Sequence, residues 1–210
     1  MVRTLYYTQR SPYARKVRIV LAEKQLPYEL KETDINNKSP EFLDLSPIGK
    51  VPVLVDENGL VFWDSTLIVE YLDETYPQSG LYPGDELRPT GGDRIERLCC
   101  RQGEELADSL IDNFVGLWYE TRKGNQADFD TQAKYQSSIN RILGVFEQKL
   151  TNCAYLFNET VSAVDVAAIS ALGYYSLRFG HDWQQEYPKL SQWFEVLHQR
   201  QSVYSTMPKA

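Results

Sequence analysis

The chain changes its hydrophobic period once. Up to about Tyr76, short β-prone runs alternate with helical ones. Beyond Gly92 only helical patterns remain. Between them lies "YPQSGLYPGDELRPTGG", Tyr76 to Gly92, a run dense in Pro and Gly that reads as a linker. A chain built this way buries its first part as a sheet covered by helices and its second part as helix against helix. The reading is an α/β domain over residues 1–77, a linker over 78–92 and an all-helical domain over 93–210. With 210 residues, two small domains can each bury a core without disulfide or metal staples.

In the first part, "TLYYT" (Thr4 to Thr8) is β-prone. A helix follows from Pro12 to about Lys24, with Ala14, Val17, Val20 and Leu21 on one face. "YELKETDI" reads as a second strand. "KVPVLVDENGLVFW" reads as two strands around the turn "DENG". A second helix starts at Ser65, with Leu67, Ile68, Tyr71 and Leu72 apolar at helical spacing. In the second part, four segments read as helices: "RIERLCCRQGEELADSLIDNFVGLWYE", "TQAKYQSSINRILGVFEQKL", "SAVDVAAISALGYYSLRF" and "PKLSQWFEVLHQR".

Composition narrows the function classes. A net charge of -7 disfavours a phosphate backbone as partner, so no nucleic acid is expected. The start has no signal-peptide core, and no run reaches the ~18 apolar residues a membrane helix needs. A cytoplasmic protein without a membrane partner is the expectation. Cys99, Cys100 and Cys153 are too few for a disulfide framework or a zinc site, and read as buried or half-buried thiols. His181 and His198 lack the converging partners of a metal site or a triad, so no metal is expected.

Three motifs carry chemistry. "SPYARKVR" sets Ser11 at a helix N-cap and Pro12 at its first position. That hydroxyl can simply cap the helix. It can also donate to an anion held at the positive helix end. In "SPIGKVPVL", Pro52 precedes a strand-like run. A cis-Pro turn is one solution there and an ordinary X-Pro turn the other. The cis turn leaves the Val51 backbone free to pair with an extended, peptide-like ligand. In "WDSTLIVEYLDETY", Ser65 reads as an N-cap able to receive a carboxylate, and Asp64 could hold an amino group beside it. A capped helix with a surface Asp is the plainer alternative.

Taken together and in this order, these motifs resemble the thioredoxin-like glutathione-binding domain of the glutathione transferase superfamily. The following helical domain extends the resemblance over nearly the whole chain. "SPYARKVRIVL" and "NKSPEF" are most similar to the tau type, with small bacterial and cyanobacterial classes such as chi left open. The chain departs from the commoner pattern at Ser46, where Asn is usual, and at Asp64, where Glu is usual. "VSAVDVAAISAL" resembles the capping box and hydrophobic staple of the family's sixth helix. It pairs Ser162 with Asp165 and Val161 with Val166, and its role is in folding; Asp165 is expected to be buried.

The resemblance implies glutathione as co-substrate. It implies that Ser11 hydrogen-bonds the sulfur, with Tyr7 and Arg10 as rivals for that role. Lys38 and Lys50 would meet the glycine carboxylate. Val51, ahead of Pro52, would pair with the cysteinyl backbone. Asp64 and Ser65 would hold the γ-glutamyl end. Tyr13 and the face Leu110, Phe114, Trp118 are candidates for the second substrate, an apolar small-molecule electrophile, although that spacing fits helix core equally well. The implied activity is thiolate transfer in detoxification by a homodimer. Peroxide reduction, isomerisation and a non-enzymatic binding role on the same fold are the alternatives.

Overall fold

The structure is a computed structural model that describes residues 2–84 and 94–209. The elements run β1 (Arg3–Tyr7), α1 (Pro12–Glu23), β2 (Tyr28–Glu32), α2 (Pro40–Leu45), β3 (Val53–Val55), β4 (Val61–Trp63) and α3 (Ser65–Thr75). Then come α4 (Arg94–Thr121), α5 (Phe129–Lys149), α6 (Ala163–Phe179), α7 (Trp183–Glu186), α8 (Pro188–His198) and α9 (Gln201–Ser205). A 3-10 turn at Gly124–Gln126 joins α4 to α5.

The first part forms a four-stranded sheet in the order β2-β1-β3-β4. β1 pairs parallel with β2 and antiparallel with β3, and β3 pairs antiparallel with β4. This is the thioredoxin-like arrangement that the resemblance implies, followed by an all-helical part. The expected linker is only partly described, since residues 85–92 lie outside the described residues. Its beginning is anchored rather than loose: Leu81 and Tyr82 are buried, and Asp73 accepts the Leu81 N–H at 2.8 Å.

α1 is the central element. Its apolar face, Ala14, Val17, Val20 and Leu21, is fully buried. Its polar residues are buried too, because α1 is covered by α3 on one side and by α6 and α9 on the other. Lys16 meets Glu104 at 2.6 Å and Asp108 at 2.7 Å on α4. Arg15 donates to the carbonyls of Ile169 on α6 and Val203 on α9 at 3.1 and 3.2 Å. Gly173 makes room for Arg15, since a Cβ there would overlap its Nη1. Burial, with the like charge of Arg18 nearby, pushes the Arg15 guanidinium down to about 9.

Several expectations need correction. β2 ends at Glu32, three residues short of the "YELKETDI" segment. The segment before the hairpin holds the short helix α2, capped by Ser39, and α7 and α9 are further helices too short to show a period. Cys99 is exposed, while Cys100 is buried and Cys153 half-buried; α4 turns one of two adjacent cysteines inward and the other out. Asp165 is fully buried within a complete capping box with Ser162, as expected. Among the described residues, no helix is long and apolar enough to cross a membrane and no acidic, His or Cys cluster could hold a metal.

Candidate functional site

Strand register brings four loops to one end of the sheet. Tyr7, the last residue of β1, faces Glu32, the last of β2. Val53, the first of β3, faces Tyr6 and Trp63, the last of β4. The chain therefore leaves β1 toward Ser11, leaves β2 toward Lys38, enters β3 from Val51 and leaves β4 toward Asp64, all at the same end.

Ser11 is the N-cap of α1, and its Oγ accepts the Ala14 N–H at 3.1 Å. That bond uses a lone pair and leaves the hydroxyl proton available for donation. Arg10 beside it is exposed, and Tyr7 is half-buried with its ring 5.3 Å from the Arg18 guanidinium.

The Val51–Pro52 peptide is cis, the alternative that leaves the Val51 backbone open. Neither its N–H nor its C=O has a partner among the described residues. The preceding loop is clamped from inside by Ser46, which sequence reading noted only as a departure. Its buried hydroxyl accepts the Lys50 N–H at 3.2 Å and donates to the Lys50 carbonyl at 3.0 Å. Gly49, at φ +62°, lies under Lys38: a Cβ there would stand 3.2 Å from the Lys38 Nζ. Lys38 thus lies over the residue before Lys50 in sequence, and both lysines are exposed.

At α3 the expected cap is corrected. Asp64, not Ser65, is the N-cap, and its Oδ1 accepts the N–H groups of Thr66 at 3.0 Å and Leu67 at 3.1 Å. Asp64 adopts φ 78°, ψ 125°, unusual for a residue other than glycine. Ser65 becomes the first helical residue and is buried, with its N–H and hydroxyl unpaired among the described residues. The next residue, Thr66, ties this helix start to the helical half. Its hydroxyl donates to Asp108 at 2.7 Å, and Lys16 donates to its Oγ1 at 2.9 Å. Tyr82 also bonds Glu104 in the same network. Partners here are 22 to 92 positions apart, so no local pattern marks them.

The second-substrate candidates divide. Leu110 and Phe114 have no exposed surface and belong to the helical core, Phe114 packing on Tyr175 with ring centroids 4.5 Å apart. Those two assignments are therefore corrected: α4 turns them toward α6, away from any open surface. Trp118 and Tyr13 remain half-buried. Tyr13 hydrogen-bonds Asp112 of α4, and burial together with that bond raises its phenol above the usual range.

These features match known proteins closely. The family model for the glutathione S-transferase N-terminal domain matches residues 5–80, and that for the C-terminal domain matches residues 115–201. An uncharacterized GST-like protein of Escherichia coli K12 is 32% identical over 200 residues, covering 94% of this chain and 95% of the relative. Glutathione S-transferase 3 of Glycine max is 29% identical, covering 97% of this chain and 88% of the relative. The crystal structure of a glutathione S-transferase from Methylobacillus flagellatus KT with GSH bound superposes with a TM-score of 0.87. It is 34% identical and covers 99% of this chain and 100% of that one. The chain belongs to the glutathione transferase superfamily.

Proposed function

We propose that this chain is a glutathione transferase, which holds glutathione at the shared end of the sheet and presents its thiolate to an electrophile with an apolar body. The observation that carries the reading is the juxtaposition, by strand register, of a Val51 backbone without a partner among the described residues, the loops that bear Lys38 and Lys50, and two helix starts. Glutathione has two carboxylates and one ammonium. Lys38 and Lys50 suit its glycine carboxylate, and Val51 suits its cysteinyl backbone. The unpaired N–H and hydroxyl of Ser65 suit the γ-glutamyl carboxylate, and the second oxygen of Asp64 suits the ammonium. The glutathione bound in the M. flagellatus relative supports the same ligand.

Ser11 then donates its proton to the sulfur. A free cysteine thiol ionises near pKa ~8.5, so only a few per cent is thiolate near neutral pH. Lowering that value by ~2 units asks for ~2.7 kcal/mol of preferential stabilisation. One hydroxyl donor at a positive helix end supplies energy of that order, without a general base. A cytoplasmic homodimer acting in detoxification fits this reading. Exposed Leu60, Val61, Trp63 and Leu67 on the β4–α3 side and Ile95 and Leu98 on α4 offer apolar surface to a second copy.

The test is retention on immobilised glutathione, followed by conjugation assays and spectroscopic titration of the bound thiol. Ser11→Ala is expected to raise the bound-thiol pKa and lower kcat, while Tyr7→Phe and Arg10→Ala leave both nearly unchanged. A wild type that neither binds glutathione nor turns over any electrophile defeats the proposal. A Ser11→Ala variant with full activity and an unmoved thiol pKa reduces Ser11 to a cap.

A further inference from the structure

Arg178 stands on the last turn of α6, four residues beyond Tyr174 and on the same face. Its guanidinium carbon lies 4.5 Å from the ring centroid of Trp118 and 5.3 Å from that of Tyr174. Arg122, just past α4, approaches the same indole at 5.8 Å. Tyr174 links this group to the thiol end of the site. Its hydroxyl, pushed up by burial, is pulled the other way by Arg178 and by Arg10, and it lies within electrostatic reach of Tyr13. A row of Tyr13, Tyr174, Arg178 and Trp118 therefore leads away from Ser11 along α6 and α4.

This row is positive and lacks a counter-ion. Among the described residues no carboxylate lies within ion-pairing distance of Arg178, and its Nε is shut off from solvent without a hydrogen-bond partner. The nearby acids are occupied elsewhere or face other groups: Asp112 is bonded by Tyr13, and Asp182 acts on Tyr175. Two guanidiniums on one indole repel each other. The overall charge is -7, so a cluster of unpaired cations here runs against the rest of the chain. An anion brought toward Arg178 by a flat ring beside Trp118 relieves that repulsion.

We propose that the second substrate is an aromatic electrophile bearing a carboxylate or similar anionic group, and that Arg178 selects it. The proposal rests on the transferase reading and names what the thiolate attacks. With a halogenated nitroaromatic, the thiol first gives its proton to solvent. The sulfur then forms a bond to the ring carbon that bears the halogen, the carbon–halogen bond breaks, and halide leaves with the bonding pair.

The experiment compares 4-chloro-3-nitrobenzoate with neutral 1-chloro-2,4-dinitrobenzene as substrates alongside glutathione. Arg178→Gln is expected to lower the ratio of their kcat/KM values by about tenfold or more, as loss of a charge-assisted hydrogen bond requires. The KM for glutathione should stay unchanged, and Arg178→Lys should restore part of the ratio. A ratio unmoved in Arg178→Gln overturns the proposal. Calorimetry without glutathione separates the two readings. Wild type should bind 4-nitrobenzoate more tightly than its methyl ester, and Arg178→Gln should bind both alike. Equal binding of acid and ester by wild type overturns the anion subsite, whereas absence of glutathione binding overturns only the transferase reading.

Discussion

At the scale of single residues, a helix cap can leave an atom over for chemistry. Ser11 accepts a backbone N–H with a lone pair, which leaves its proton available for the proposed donation to a sulfur. Asp64 caps α3 with one carboxylate oxygen, Oδ1, and the second is the one proposed to meet an ammonium. The positive φ at Asp64 costs on the order of 1–3 kcal/mol and is held by those two cap bonds. Asp64→Ala is expected to lower stability by about 1 kcal/mol through loss of the cap. Asp64→Asn keeps a capping oxygen, so its melting temperature should stay near wild type while glutathione affinity falls about tenfold with the lost charge. Thermal melts paired with calorimetric titration separate the two roles, and an Asn variant of undiminished affinity would leave Asp64 a cap alone. The pair "DS" was legible as a helix start, but which of the two residues caps depends on backbone angles set by the β4–α3 junction.

At the scale of elements, α6 shows how a local signal and a tertiary one coincide. The Ser162–Asp165 capping box was readable from four consecutive residues. What the four residues do not disclose is that Asp165 also accepts the Leu156 N–H at 2.9 Å and the Trp193 Nε1–H at 3.0 Å. One buried carboxylate therefore holds the start of α6, the loop before it and α8. Asp165→Ala leaves those donors buried without an acceptor, and the expected loss is about 3–5 kcal/mol. A denaturant midpoint shifted by that amount at unchanged slope is the check, and a loss near that of an ordinary surface cap contradicts it. α3, α4, α5 and α8 were legible because each buries one stripe, and α1 and α6, buried on most faces, because each carries a helix-start signal and a run long enough to read. α2, α7 and α9 were not, since helices of four to six residues complete too few turns to display one.

At the scale of the whole molecule, the two halves are joined through buried charge. Lys16 has no exposed surface and links α1 to Thr66, Glu104 and Asp108. Although burial alone pulls its ammonium down, the two carboxylates prevail and the net shift is upward. Lys16→Met should therefore cost about 3–5 kcal/mol, because it strands two carboxylates rather than removing a pair. Lys16→Met with Glu104→Gln should recover part of that loss, and urea unfolding of the three proteins measures it. The halves should unfold in one transition, since α1 belongs to the core of both. Hydrophobic period, turn residues and caps determined the element order and the three motifs, because those signals act over a few neighbouring positions. Tertiary structure alone decided that Leu110 and Phe114 are core, that Asp64 is the cap, and that Arg178 faces Trp118 without a counter-ion among the described residues. Each of these depends on which surfaces meet across long stretches of chain, and burial and charge pairing are properties of that meeting.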